Sequence, residues 1–191
     1  MARSGCFSAA ATILRCVFTE PVRRAGRPMT RSRQYPTIRP DMTHSPDTIW
    51  FYAQTDPYAE FSNFAPYGVA MAGVYWPTVE HYFQAQKFHD ARYREKIRRA
   101  STPKQAKGLG MTRDLPLRDD WDAVKDAIML DALRVKFATH PVPRDLLLST
   151  GQRPIVENAP GDGYWGCGAE GTGLNRLGQL LMQVRAELRA A

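Results

Sequence analysis

The chain is short of cysteine and has no long apolar run, and each shortage removes a class of protein. Three cysteines occur in 191 residues, and Cys6 and Cys16 lie near the N-terminus, which leaves Cys167 alone in the body. One thiol cannot close an internal disulfide, which excludes a disulfide scaffold and suits a reducing compartment. No apolar stretch approaches the roughly 18 residues that cross a bilayer, so no membrane association is expected. His44, His81, His89 and His140 form no H-x-x-x-H pair and Cys167 has no cysteine neighbour, so neither a metal nor another cofactor is expected. A G-x-S-x-G nucleophile elbow is also absent, and no base near Cys167 marks it as a nucleophile.

The formal net charge of +7 invites a nucleic-acid reading, but the positive charge is concentrated at one end. Residues 1–41 carry Arg3, Arg15, Arg23, Arg24, Arg27, Arg31, Arg33 and Arg39 against only Glu20 and Asp41, whereas residues 42–191 hold 18 Lys/Arg against 17 Asp/Glu. The body is close to neutral, without the electrostatic footprint of a DNA-binding domain. Residues 1–45 are expected to form an Arg-rich leader outside the globular domain at 46–191. The leader fits an organellar transit peptide, a flexible tail, or a start codon placed upstream of Met29 or Met42. Its Ala9–Phe18 stretch is broken by Thr12, Arg15 and Cys16, unlike a secretory signal. The expected compartment is the cytoplasm, with organellar targeting by the leader as the alternative.

Within the body, Ile49–Ala53 reads as a short aromatic strand, and Val69–Tyr75 reads as a hairpin around Ala72-Gly73. Helices are expected over 78–89 and 91–100, followed by a short one capped by Thr102 with Pro103 at its first position. A longer helix is expected from Asp120 to Thr139, with Val124, Ile128, Ala132 and Val135 on its buried stripe and His140-Pro141 ending it. A short helix at Arg144–Ser149, a strand at Pro154–Glu157, a glycine-rich stretch at Gly161–Gly173 and a last helix from Leu174 to Arg189 complete the chain. This pattern predicts a helix-rich α+β single domain with a small sheet.

Residues 76–88 concentrate the information. In a helix opening near Thr78, Val79, Tyr82, Phe83 and Gln86 share one face, while Glu80, Gln84 and Lys87 share another. The second face is either solvated or a polar site. Gly166-Cys-Gly-Ala-Glu-Gly171 satisfies G-x-G-x-x-G, but no second strand or acidic partner follows it, so a dinucleotide fold is rejected. The glycines still allow close approach to a phosphate or ribose ahead of a helix, or they serve a plain turn-rich connection. The remaining chemistry is carboxylates beside aromatics: Glu80, Asp162, Trp165 and Trp121. A ring stacked on a base or sugar, with a carboxylate that stabilises positive charge or activates water, is the equipment of a glycoside-cleaving site. Core packing for Trp121 and a solvated position for Lys87 fit the same pattern.

Several strings together resemble the NADAR, or YbiA-like, family. They are Phe61-Ser-Asn-Phe64, Trp76-Pro-Thr-x-Glu-His-Tyr-Phe-Gln-Ala-Gln-Lys-Phe88, Thr102-Pro103, Leu117-Arg-x-x-Trp121, Ala132-Leu-Arg-x-Lys-Phe137, Tyr164-Trp-Gly166 and Gly173-x-Asn-Arg-Leu-Gly178. The resemblance runs from about Trp50 to Leu188. It implies a hydrolase acting on N-glycosyl bonds, which cleaves the ribosyl C–N bond of phosphorylated N-ribosyl pyrimidine intermediates of riboflavin biosynthesis and releases ribose 5-phosphate. The alternatives are removal of ADP-ribose from guanine in DNA, the only reading that brings in nucleic acid, and a non-catalytic module that binds ADP-ribose-like ligands. No protein partner is implied. Carried over by motif, Glu80 and Asp162 are the catalytic candidates. Trp165, Trp121, Asn63, Lys87, Arg113 and Asn175 are the substrate-binding candidates. Where many members have Leu-Gly-Arg this chain has Leu109-Gly-Met111, and Arg113 stands two residues later as the substitute.

Overall fold

The computed structural model describes residues 47–191, and the leader assigned to residues 1–45 lies outside the described residues. Two two-stranded sheets frame six helices among the described residues. Strand β1 (Ile49–Phe51) pairs in parallel with β4 (Ile155–Glu157), while β2 (Val69–Met71) pairs antiparallel with β3 (Val74–Trp76). Helices α1 (Val79–Ala85), α2 (Ala91–Arg98), α3 (Pro103–Gly110), α4 (Trp121–Thr139), α5 (Pro141–Ser149) and α6 (Arg176–Ala190) complete the domain. This is the expected α+β class, without the strand-helix alternation of a doubly wound sheet.

Local chemistry sets the boundaries. Ala72 and Gly73 both take positive φ, as a two-residue hairpin turn requires. Strand β1 stops short of Ala53 because Asp56 Oδ2 accepts from the Tyr52 and Ala53 amides at 2.8 and 2.7 Å and turns the chain. Thr102 caps α3 through the Gln105 amide, with Pro103 following it as expected. Helix α1 ends at Ala85, several residues before the expected boundary. The Lys87 and Phe88 amides turn back to Gln84 and Ala85 at 3.3 Å, which tightens the last turn. The Lys87 carbonyl is then taken by the Arg118 amide at 2.8 Å.

Helix α1 lies at the centre, packed against α2, α3, α4 and β3, and it buries almost its whole circumference. Val79, Phe83 and Ala85 sit in the core, but Glu80, His81 and Gln84 are buried as well. Thr78 and His81 fix its first turn. Thr78 Oγ1 lies 2.8 Å from His81 Nδ1, and His81 Nε2 lies 3.1 Å from the Ala100 carbonyl. The Ala100 carbonyl can only accept, so Nε2 carries the proton and Nδ1 accepts from the threonine, a neutral ring that matches the downward shift burial gives this histidine. Gly110, at the end of α3, lies against the Gln84 carboxamide, and a Cβ there would overlap Gln84 Oε1.

The long helix departs from its expected stripe. Met129, Ala132, Leu133, Lys136 and Phe137 are fully buried, whereas Val124, Ile128 and Val135 are only half-buried. The buried face therefore includes a lysine, which a hydrophobic period passes over. Lys136 Nζ donates to the Ser62 carbonyl at 2.9 Å and lies 5.3 Å from the Phe137 ring centroid and 5.7 Å from that of Tyr67. That bond fastens α4 to the loop carrying Asn63. His140 joins α4 to α5 without a gap, because Pro141 opens the next helix directly.

Two outcomes are expected from this packing. Burial lowers the Lys136 amine to about 7, with a smaller upward pull from Glu60. Between that value and the ordinary 10.5 the unfolded chain holds a proton that the folded chain lacks, so stability rises with pH across this window, by up to about 1.4 kcal/mol per unit. Lys136→Met is expected to flatten that rise, measured as the difference between variant and wild type in urea midpoints at about pH 7 and about pH 9.5; equal slopes would contradict the assignment. Gly110→Ala is expected to lower the melting temperature. The overlap with Gln84 costs about 1–3 kcal/mol, more than the roughly 1 kcal/mol that alanine gains in a helix; an unchanged or raised melting temperature would contradict it.

Candidate active site

The ambiguous polar face of α1 is buried. Gln84 Nε2 donates to Glu80 Oε1 at 2.8 Å, so the two residues four apart form one internal pair. Burial raises the pKa of the Glu80 carboxyl, and Asp162 adds to this in the same direction; the Gln84 hydrogen bond and the charges of Lys107 and Lys87 oppose it. The Glu80 amide donates to the Asn63 carbonyl at 3.1 Å, which places the Phe61–Phe64 loop over the start of the helix. Asn63 Oδ1 and Gln84 Oε1 are buried acceptors without a hydrogen-bond partner among the described residues.

Phe83 supports the aromatic candidates from behind. Its ring centroid lies 5.0 Å from that of Trp121 and 5.2 Å from that of Trp165, the latter edge to face. Both tryptophans are half-buried, so each packs against the core while keeping part of its ring exposed. Lys87 Nζ lies 5.8 Å from the Trp121 ring centroid and 5.9 Å from that of Phe83, and donates to the Gly110 carbonyl at 3.3 Å. Its amine is lowered chiefly by burial and partly by Arg113 and Lys107, while Glu80 pulls it upward. Arg113 itself is exposed, and its Nη1 donates to the carbonyls of Met111 and Thr112 at 3.1 and 3.2 Å.

Asp162 is set in the loop after β4. Its Oδ1 accepts from the Tyr164 and Trp165 amides at 3.0 and 2.8 Å, and this Asx turn aims Trp165 at Phe83. The loop is then tied to α4 and α6. Tyr164 Oη donates to Asp126 Oδ1 at 2.7 Å, Arg176 binds the other oxygen of that carboxylate through Nε (2.9 Å) and Nη2, and Lys125 Nζ lies 4.1 Å from the Tyr164 ring centroid.

Two expectations meet a different arrangement. Asn175 is buried, with its carboxamide committed to β4: Nδ2 donates to the Ile155 carbonyl at 2.8 Å and Oδ1 accepts from the Glu157 amide at 3.0 Å. Both ends of its carboxamide are thereby tied to the strand, which it positions. The glycine stretch is not a phosphate cradle, because the Arg176 and Leu177 amides at the start of α6 donate to the Tyr164 and Trp165 carbonyls at 3.0 Å. Gly166 and Gly173 serve close packing of the loop on itself, since a Cβ at either would meet neighbouring backbone. Gln84, on the helix face left open as solvated or polar, is the hydrogen-bond partner of the central carboxylate.

Two residues enter that sequence patterns did not single out. Glu157, the last residue of β4, has its carboxyl raised to about 7 by burial, then by Asp162 and Glu80, with Lys107 opposing. Lys107, exposed on α3, acts on Glu80, Lys87 and Glu157 alike and lies 5.9 Å from the Phe64 ring centroid. The only sequence signals were a carboxylate ending an apolar strand and a lysine one helical turn past a cap. Three carboxylates from α1, β4 and the following loop thus share one electrostatic field with Lys87 and Lys107, beside a tryptophan pair backed by Phe83. Such a site can hold a planar ring, stabilise a cation and transfer protons.

Residues 50–189 match the NADAR domain family model. The chain is 51% identical over 143 residues to N-glycosidase YbiA of Escherichia coli (strain K12), an alignment that covers 74% of this chain and 89% of that protein. It is 38% identical over 187 residues to the chloroplastic riboflavin biosynthesis protein PYRR of Zea mays, covering 90% of this chain and 30% of the maize protein. The NMR structure of E. coli YbiA superposes with a TM-score of 0.70 at 50% identity, covering 75% of this chain and 86% of that one. With the expected motifs, the fold and the family model in agreement, this chain belongs to the NADAR family.

Proposed function

We propose that the protein is an N-glycoside hydrolase acting on intermediates of riboflavin biosynthesis, and that its substrate is a phosphorylated N-ribosyl pyrimidine from which it releases ribose 5-phosphate. The observation that carries this reading is the buried Glu80–Gln84 pair within reach of two further carboxylate charges and the Phe83-backed tryptophans. The names of relatives from E. coli and maize support the reaction class and the substrate family.

Cleaving a C–N bond at an anomeric carbon develops positive charge on the ribose and negative charge on the departing base. One carboxylate stabilises the first and orients the water that attacks it, while a protonated carboxyl gives its proton to the second. Trp165 and Trp121, backed by Phe83, hold the pyrimidine. The unpartnered Asn63 Oδ1 is an acceptor for a hydroxyl or amine of the substrate. Lys87, Lys107 and Arg113 supply the positive charge for the 5′-phosphate. Among the described residues no group of three or more His, Cys, Asp and Glu is placed to hold a metal ion. The near-neutral charge of residues 42–191 fits a small-molecule substrate better than ADP-ribosylated DNA.

The full-length protein, incubated with 5-amino-6-ribosylaminouracil 5′-phosphate, is expected to release the base and ribose 5-phosphate, while ADP-ribosyl-guanine DNA is turned over more slowly. Glu80→Gln is expected to lower kcat by about 100-fold or more, and Trp165→Ala to raise KM, both measured by chromatographic product release. Turnover of the DNA substrate alone would move the assignment to the nucleic-acid reading, and turnover of neither would overturn it.

A further inference from the structure

The hydrogen bonds of Asp162 hold its carboxyl group to the backbone of its own loop. Two backbone amides donate to its Oδ1 and commit that oxygen to the turn. Glu157 is held in the opposite way. Its backbone is pinned on both sides: its amide donates to Asn175 Oδ1 at 3.0 Å and its carbonyl accepts from the Cys167 amide at 2.9 Å. Its carboxylate receives no hydrogen bond from any described residue, although the side chain is half-buried. The charged and titratable groups facing it are Glu80 from α1, Lys107 from α3, and Asp162 and the Cys167 thiol from the loop after β4.

We propose that Glu157 is a catalytic residue of this site and that Glu80 and Glu157, rather than Glu80 and Asp162, exchange the protons of the cleavage. The proposal rests on the N-glycosidase reading above. Burial disfavours the anion at both carboxyls, and the charge of Glu80 adds to this at Glu157, so the pair holds a proton that an exposed glutamate would release. The protonated member gives its proton to the glycosidic nitrogen as that atom takes the electron pair of the breaking C–N bond. The ionised member takes a proton from the water whose oxygen bonds to the anomeric carbon. The products are the free amine and the ribose hydroxyl, and passage of one proton between the two carboxyls restores the starting state. Asp162 takes no part in this exchange and holds Trp165 in its turn.

The shifts agree with this division of labour. Glu157 is raised to about 7 and Glu80 is also raised, so the folded site keeps a proton across a range in which an exposed glutamate would have lost it. A proton donor tuned near the working pH transfers protons most effectively.

The test is the pH dependence of kcat and KM for the full-length protein, from about pH 5 to about pH 9, on the ribosylaminouracil phosphate. Wild type is expected to lose activity through an alkaline limb near neutral pH. Glu157→Gln is expected to lose about 100-fold or more in kcat with KM within about threefold, and to lose that limb, while Glu157→Asp recovers part of the rate. Asp162→Asn is expected to keep the limb and act mainly on KM. If Glu157→Gln fails to give a folded protein by circular dichroism, Glu157→Asp decides: a displaced limb supports the proposal and an unmoved one overturns it. Wild-type turnover with Glu157→Gln within about fivefold and an unchanged limb also overturns it. Absence of wild-type turnover instead removes the N-glycosidase reading, and the proposal with it.

Discussion

The arrangement depends on keeping one carboxylate inside the protein. Glu80 lies in the first turn of a helix that is packed on nearly every side, where an unaided charge would cost several kcal/mol. The fold offsets this locally. Gln84 donates to the carboxylate, Lys107 and Lys87 supply opposing charge, and the start of α1 favours an anion. Other features follow from this burial. Gly110 makes room for the Gln84 amide, the Thr78–His81 pair fixes the helix start, and Lys136 anchors the loop whose Asn63 carbonyl receives the Glu80 amide. A buried, hydrogen-bonded acid of this kind keeps its proton more readily than an exposed one, a common property of groups that handle protons in catalysis.

Phe83 joins the acid to the binding surface. It stands next to Gln84 on the same short helix and supports both tryptophans, so the position of a stacked base is set by the element that sets the carboxylate. The loop carrying Trp165 is held independently of any ligand: Asp162 turns its backbone, and the Tyr164–Asp126–Arg176 network ties it to α4 and α6. Asn175 contributes from a distance by aligning β4, and so places Glu157. Site residues from four parts of the chain are thereby fixed before substrate arrives, which lowers the reorganisation needed during bond cleavage.

Local signals in the sequence were reliable. The Thr102-Pro103 start of α3, the Ala72-Gly73 turn and the arrest of α4 before Pro141 all follow from single-residue chemistry. Long-range arrangement was less visible. The helix α4 stripe was misread because Lys136 is buried, and a lysine ordinarily marks the solvent face. Helix α1 was divided into an apolar and a polar face, although α3 covers the second. Glu80, Asp162, Trp121 and Trp165 were singled out through motif spacing, and the structure places the two tryptophans around Phe83 and the charge of Asp162 within reach of Glu80. Glu157 was missed because its significance comes from the pairing of β4 with a strand about a hundred residues earlier and from a lysine on another helix. Asn175 was taken for a ligand contact because a buried amide bound to a strand and one bound to a ligand look alike in sequence.

The central claim is that the ribosyl C–N bond lies between Glu80 and Glu157, with the base on Trp165. The most direct measurement is a crystal structure of the Glu80→Gln protein with intact ribosylaminouracil phosphate. The account predicts a glycosidic nitrogen and anomeric carbon within hydrogen-bond reach of residue 80 and Glu157, the pyrimidine against Trp165, and the phosphate toward Lys87 and Lys107. A substrate seated elsewhere, or one whose glycosidic bond faces away from both carboxyl positions, would contradict it.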